Sequence, residues 1–331
     1  MTRLAIIGAG SWGTALSIVL APRCDEIRLW VKEPELCSTI AGTRENRSFL
    51  PGFTIPPHVA VTSSLADAVD GAPVVMGVIP SKYARRVYTE LAPAVSEDTI
   101  FVSATKGIEQ GTLLRMSELI AQVMGPAAAR VAVLSGPTFA KEVARGEPTA
   151  VVISAHDIQL ARRIQQEFSG PAFRLYTNSD PIGVEVGAAL KNVIAIAAGV
   201  CAGLGLGHNV AAALITRGLA ELSRLACAMG ANPLTLAGLA GLGDLVLTCT
   251  GELSRNRTVG IELARGRSAG EIVESMAMVA EGVDTAAAAL ELARRYNTQL
   301  PITEQMDLIL RGRRSPREAI RELMERTLRD E

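Results

Sequence analysis

The opening segment constrains this chain more than any other. Leu4-Ala5-Ile6-Ile7 is a short apolar run, Gly8-Ala9-Gly10-Ser11-Trp12-Gly13 follows at once, and Trp12–Leu20 reads as a helix. Glycines in the spacing G-x-G-x-x-G carry meaning in a strand–turn–helix context. The first permits a tight turn, the second lets backbone approach a pyrophosphate, and the third lets helix and strand pack closely. The helix N-terminus then presents N–H groups and a positive dipole end to phosphate. Without that context the motif is only a glycine-rich turn. With it, Gly8, Gly10, Ser11, Trp12 and Gly13 are candidates for holding a dinucleotide.

The strand–helix alternation continues. Ile27–Val31, Val74–Ile79, Ile100–Ser103 and Val131–Leu134 are short apolar runs rich in β-branched residues, with helical stretches such as Lys82–Leu91 between them. Val151–Ile153 and Phe173–Tyr176 extend the series around a helix at Asp157–Phe168. Such alternation predicts an α/β fold: a Rossmann-like, doubly wound, mostly parallel sheet with helices on both faces. After Asp180 strand signals vanish. Ala- and Leu-rich helical stretches follow at Gly183–Val200, Val210–Met229, Val259–Arg265, Ala269–Ser275, Thr285–Tyr296 and Pro316–Glu325. The expectation is therefore a dinucleotide-binding domain over 1–180 and an all-α substrate-binding domain over 181–331.

Composition narrows the function. The net charge is -1, with no basic block, so nothing draws the chain to nucleic acid or an anionic membrane. The five cysteines are scattered and odd in number, and the three histidines lie far apart, so reduced thiols and no metal site are expected. The apolar run at the N-terminus spans only Leu4 to Ile7 before the glycine turn, unlike a secretory signal. Val193–Gly207 is interrupted by glycine and reads as too short to cross a bilayer. A cytoplasmic protein with no integral membrane association is expected. The Ala- and Leu-rich helical half has room for a subunit interface, and a homodimer is expected.

The second strand ends Trp30-Val31-Lys32-Glu33. An acid there would bind ribose hydroxyls, as in NAD sites. Lys32 suits a 2′-phosphate instead, which favours NADP without excluding NAD. Further along, Lys106 follows directly on a buried strand, where open α/β sheets bind ligands. Lys191 and Asn192 precede the longest apolar run, so they either snorkel or face a cleft. A cleft lysine makes a credible proton donor. Asp244 sits within the Gly-rich, apolar segment Gly238–Thr250, which ends in Thr248, Cys249 and Thr250. It needs a partner there; the plainer alternative is a helix N-cap. Ser254-Arg255-Asn256-Arg257 combines guanidinium forks with a predicted helix start, a good phosphate receptor.

Taken together, these segments resemble the bacterial form of the NAD(P)-dependent glycerol-3-phosphate dehydrogenase family. The resemblance rests on G-A-G-S-W-G-T-A at Gly8–Ala15, S-A-T-K-G-I at Ser103–Ile108 and L-S-G-P-T-F-A at Leu134–Ala140. It continues through V-G-A-A-L-K-N-V-I-A-I-A-A-G at Val186–Gly199, G-L-A-G-L-G-D-L at Gly238–Leu245, S-R-N at Ser254–Asn256 and V-A-E-G at Val279–Gly282. It implies reduction of dihydroxyacetone phosphate to glycerol 3-phosphate, which feeds phospholipid synthesis. It further implies that Ser11, Trp12, Lys32, Lys106, Ala140, Arg255, Val279 and Glu281 contact the cofactor. Lys106, Gly136, Thr138, Asp244, Ser254, Arg255 and Asn256 would hold substrate, with Asn192 and Thr248 beside them. Lys191 would be the general acid/base, supported by Lys106 and Asp244. Thr138 is within the family pattern; Lys32 stands where Arg or His is common. Rival readings are a two-domain dehydrogenase for hydroxy acids and a non-catalytic dinucleotide sensor. The phosphate loop argues against the first, and the joint presence of Lys106, Lys191 and Asp244 against the second. The expected site is a cleft lined by Gly8–Gly13, Lys106, Lys191 and Asp244.

Overall fold

A computed structural model of the chain describes residues 3–125, 130–276 and 279–326. The chain forms two compact units, Met1–Glu185 and Val186–Glu331, parting a few residues beyond the boundary expected at 180.

The first unit runs β1 (Arg3–Ile7), α1 (Ser11–Val19), β2 (Glu26–Trp30), α2 (Pro34–Thr43), β3 (Glu45–Asn46), β4 (Leu50–Thr54) and β5 (Val59–Thr62). It continues α3 (Leu65–Val69), β6 (Val74–Gly77), α4 (Ser81–Leu91), β7 (Ile100–Ser103), α5 (Met116–Met124) and β8 (Val131–Ser135). Then come α6 (Ala140–Ala144), β9 (Thr149–Ser154), α7 (Ile158–Phe168) and β10 (Phe173–Asn178). Eight strands make one sheet in the order β10-β9-β8-β7-β6-β1-β2-β5, and β3-β4 form a separate hairpin. The pairings in the large sheet are parallel except β8 with β9.

Alternate side chains of β1 explain why helices cover both faces. Leu4 and Ile6 pack with Ala15 and Leu16 of α1, whereas Ala5 and Ile7 pack with Tyr88 and Leu91 of α4. Each fully buried Leu or Ile contributes about 1.5–3 kcal/mol. β6 and β7 are buried along their whole length, which is why they read as unbroken apolar runs.

The sheet order reverses at β1, whose neighbours are β2 on one side and β6 on the other. Such a switch point opens a crevice at the carboxyl ends of the strands. The glycine turn lies there: a Cβ on Gly8 would come within 2.6 Å of the Val78 carbonyl oxygen, just past β6. Gly8 has φ +117°, and a Cβ on Gly13 would meet the Gly8 oxygen at 1.8 Å. Strand end and helix start thus touch backbone to backbone, which no other residue permits.

From α8 (Pro181–Gly203) onward the chain is helical. The elements are α9 (His208–Ala228), α10 (Pro233–Leu236), a π-helical turn (Leu239–Gly243), α11 (Asp244–Thr250) and α12 (Arg255–Ala264). α13 (Ala269–Ser275), α14 (Glu281–Arg295), α15 (Pro301–Leu310) and α16 (Pro316–Met324) complete it.

Several expectations need correction. β5, the β3–β4 hairpin, α2 and α15 were not expected. The helix expected at Gly183–Val200 is α8, Pro181–Gly203, and its 23 residues, unlike the run Val193–Gly207 taken alone, are long and apolar enough to cross a membrane by length and composition. The same holds for Pro233–Thr250, but 89% and 44% of the two windows are buried within the protein. α8 is thus the core helix of its surroundings, with Lys191 in its middle.

Candidate active site

In the first unit the glycine turn fits a dinucleotide. Gly8 and Gly13 are hemmed in, but a Cβ on Gly10 would find nothing within 4 Å, so backbone is open to an approaching group at that point. α1 has Gly10 as its N-cap and no side chain capping it, and a helix N-terminus of this kind suits a phosphate. The indole N–H of Trp12 is buried and finds no acceptor among the described residues. A buried indole N–H ordinarily has one, and a bound ligand would supply it.

Lys106 lies just past β7, and its ammonium donates to the Gly136 carbonyl at 3.1 Å. The Thr138 hydroxyl donates to the same carbonyl at 3.2 Å, so two residues expected at the site share an acceptor that a third, Gly136, supplies just beyond β8. Ala140 is the first residue of α6. Lys32 stands just past β2, its ammonium 3.7 Å from Glu33 Oε1 with both side chains more than half exposed. It also lies 5.6 Å from the centre of the Tyr83 ring, which Lys82 approaches to 5.2 Å.

In the second unit the sequence-distant candidates meet. α8 runs close to the π-helical turn at Gly187, where a Cβ would be 3.1 Å from the Ala240 oxygen. One turn further along each element, Lys191 and Asp244 form a salt bridge with both side chains buried. Asp244 is the first residue of α11, and Gly243 takes the cap position, so the N-cap alternative for Asp244 does not hold. A π-helical turn is common at functional sites; here it delivers a carboxylate into apolar surroundings. Lys191 Nζ also donates to Thr248 Oγ1 at 2.7 Å, and that hydroxyl donates to the Asp244 backbone oxygen at 2.6 Å. An ammonium has only donors, so Thr248 must accept from Lys191. Burial of both charges is tolerable because they are paired and hydrogen-bonded. Burial also pushes the neighbouring Cys249 thiol up to about 12, so Cys249 stays neutral and offers no thiolate.

Beside this pair, Asn192 Oδ1 accepts from Asn256 Nδ2 at 3.1 Å, and Asn256 Oδ1 accepts from the Gly282 N–H at 3.0 Å. The two amides are thereby oriented. Ser254 caps α12, its hydroxyl accepting from the Arg257 N–H at 3.2 Å. Arg255 Nη1 donates to the Val279 carbonyl at 2.8 Å, and Glu281 opens α14. Gly282 was visible in the sequence only as the last residue of V-A-E-G; its role in holding Asn256 had no sequence signal. Among the described residues there is no group of three or more His, Cys, Asp or Glu able to hold a metal.

A glycine turn at the switch point of a parallel sheet, followed by a helical unit with a buried, paired lysine, defines the class of two-domain dinucleotide-dependent dehydrogenases. Comparison with known proteins narrows this. Residues 3–161 match the NAD-dependent glycerol-3-phosphate dehydrogenase N-terminus, and residues 180–321 match the C-terminus of the same family. The chain is 56% identical over 329 residues to the glycerol-3-phosphate dehydrogenase [NAD(P)+] of Koribacter versatilis, with 98% of each chain covered. It is 52% identical to that of Citrifermentans bemidjiense, covering 99% of this chain and 98% of the relative. The crystal structure of glycerol-3-phosphate dehydrogenase from Coxiella burnetii superposes with a TM-score of 0.93 at 38% identity, covering 98% of this chain and 99% of that one. The chain belongs to the NAD-dependent glycerol-3-phosphate dehydrogenase family.

Proposed function

We propose that this chain catalyses reversible hydride transfer between a nicotinamide dinucleotide and the dihydroxyacetone phosphate–glycerol 3-phosphate couple. The observation that carries the reading is the buried Lys191–Asp244–Thr248 cluster, found in a chain whose close relatives bear that activity. When bound, the nicotinamide dinucleotide would supply the hydride chemistry of the reaction. Lys191 delivers the proton that the developing alkoxide needs, and its amine recovers a proton in oxidation. Asp244 keeps the ammonium charged and aimed, and Thr248 fixes its second direction. Lys106 offers a second positive charge to the substrate oxygens. Ser254, Arg255 and Asn256, at the start of α12, bind the phosphate. Remote binding of that kind aligns the reacting carbonyl. Gly8, Gly10, Ser11, Trp12 and Gly13 hold the pyrophosphate and nicotinamide side of the cofactor. Ala140, Val279 and Glu281 complete its surroundings, while Gly136, Thr138 and Asn192 complete those of the substrate.

The test is oxidation of NADPH and NADH, in parallel, by dihydroxyacetone phosphate. Turnover with neither cofactor overturns the reading. NADPH is favoured, because Lys32 and Lys82 share the Tyr83 ring and concentrate positive charge just past β2. Replacing Lys32→Asp removes a cation and restores an acid for the ribose hydroxyls. The kcat/KM ratio of NADPH to NADH should then fall, and an unchanged ratio would mean that Lys32 does not read the 2′ position. Arg255→Ala should weaken use of the phosphorylated substrate by about 1.5–3 kcal/mol, the cost of a charge-assisted bond. Unphosphorylated dihydroxyacetone, assayed beside it, should lose far less; equal losses would remove the phosphate role. The same reading includes a cytoplasmic location, a supply of glycerol 3-phosphate for phospholipid synthesis, and a homodimer in solution, which light scattering would check.

A further inference from the structure

The hairpin β3–β4 has no place in the chemistry described above, yet it carries a polar side chain with no exposed surface at all. Asn46 in β3 is 0% exposed. Its Nδ2 donates to the Ala9 carbonyl at 2.7 Å and to Thr14 Oγ1 at 2.9 Å, and its Oδ1 accepts from the Phe49 N–H at 3.2 Å. Thr14, also 0% exposed, reaches the same Ala9 carbonyl at 3.4 Å. Two buried side chains therefore converge on one carbonyl oxygen, and that oxygen belongs to the glycine turn.

Peptide planarity gives this contact a consequence. In a trans peptide the C=O and the following N–H point in opposite directions, and the described residues contain no cis bond. Turning the Ala9 carbonyl inward, onto Asn46, turns the Gly10 N–H outward. A Cβ on Gly10 would find nothing within 4 Å, so the residue itself is not hemmed in, and no acceptor among the described residues takes its N–H. A peptide flip at this point would replace an anion-seeking donor by a carbonyl oxygen.

We propose that Asn46 is a positioning residue for cofactor binding: it locks the Ala9–Gly10 peptide so that the Gly10 N–H is preset as a donor to the dinucleotide pyrophosphate. This rests on the dinucleotide reading of the glycine turn. Asn46 acts through the backbone and touches no reacting atom, so its effect belongs in cofactor affinity and not in the chemical step.

The test compares Asn46→Leu and Asn46→Asp with the unaltered chain. Dissociation constants are measured for NADPH, for ADP-ribose, which keeps the pyrophosphate, and for 2′-AMP, which lacks it. Loss of a preset donor to an anion should raise the first two constants about 10- to 100-fold. The 2′-AMP constant, read by ligand-observed NMR, should stay unchanged, and kcat at saturating cofactor should stay within about twofold. Asn46→Asp adds a signature that loose packing would not produce. It keeps the acceptor for Phe49 and loses the donor, but a buried carboxyl regains a proton as pH falls. Its NADPH affinity should therefore recover at low pH, whereas that of Asn46→Leu should not. Should either variant fail to fold, Thr14→Val carries the test: it removes the second contact on the Ala9 carbonyl and should weaken NADPH and ADP-ribose about 2- to 10-fold. Equal loss of all three ligands, unchanged affinity for NADPH, or a fall in kcat with affinity intact would overturn the proposal. Failure of the unaltered chain to bind either pyrophosphate ligand would instead overturn the cofactor reading beneath it.

Discussion

Lys191→Ala is expected to lower kcat by at least about 10²–10⁴-fold, the usual contribution of a positioned general acid–base group. Cofactor affinity should persist, because Lys191 is not among the residues assigned to the cofactor. Titration of NADPH fluorescence checks that half. The buried salt bridge adds a cost that the sequence did not suggest. Truncating Lys191 removes the ion-pair partner of the Asp244 carboxylate, whose side chain is only 1% exposed. An unpaired buried carboxylate takes up a proton rather than remain charged, so thermal stability should fall together with activity. Lys191→Met, which keeps the aliphatic stem packed, should show the same kcat loss. Near-normal kcat in either variant would move the proton-donor role elsewhere, with Lys106 the first candidate.

Asp244→Asn should be nearly as damaging, and for a separable reason. It takes from the buried Lys191 ammonium the carboxylate it pairs with. Breaking such a pair from one side costs about 3–5 kcal/mol. The lysine relieves part of this by releasing its proton, since burial without a partner disfavours the charged form. A neutral amine is the wrong state for protonating an alkoxide, so kcat for ketone reduction should fall. The stability loss has a defined pH dependence. In this variant the unfolded lysine binds a proton that the folded one does not, so stability rises with pH towards the ordinary lysine range. Thermal melts across neutral to alkaline pH read this directly. A double change, Lys191→Met with Asp244→Asn, should recover most of the stability and none of the activity, because no charge is then left unpaired. Full activity in Asp244→Asn would remove Asp244 from the mechanism.

How far the chain could be read without its structure depended on how local each signal was. The strands β1, β6, β7 and β8 were legible because helices cover both faces of the sheet, so their central positions are apolar in an unbroken run. β5 was not, since Val59–Thr62 is a short edge strand with one buried residue and no pattern to betray it. α15 does carry a local signal: Pro301 starts it, and Ile302, Met306 and Ile309 follow at helical spacing on its buried side. Asn46 could not have been found at all. Asn-Arg-Ser-Phe-Leu-Pro-Gly looks like a polar loop, and only the fold brings Asn46 to the carbonyl of Ala9.

By itself, then, the sequence determined the class of fold, the dinucleotide turn and the cast of ionisable residues. These are encoded in runs of a few adjacent residues: an apolar strand, glycines at fixed spacing, a lysine where only apolar side chains are expected. Which members of that cast work together was decided by tertiary structure. Lys191 and Asp244 lie 53 positions apart, and their pairing depends on Gly187 admitting the π-helical turn close against α8. The same is true of Asn192, Asn256 and the Gly282 N–H, three groups from three segments that orient one another. A hydrogen bond has a direction and a reach of about 3 Å. Partners far apart in the chain are therefore specified only when packing has brought their backbones into place.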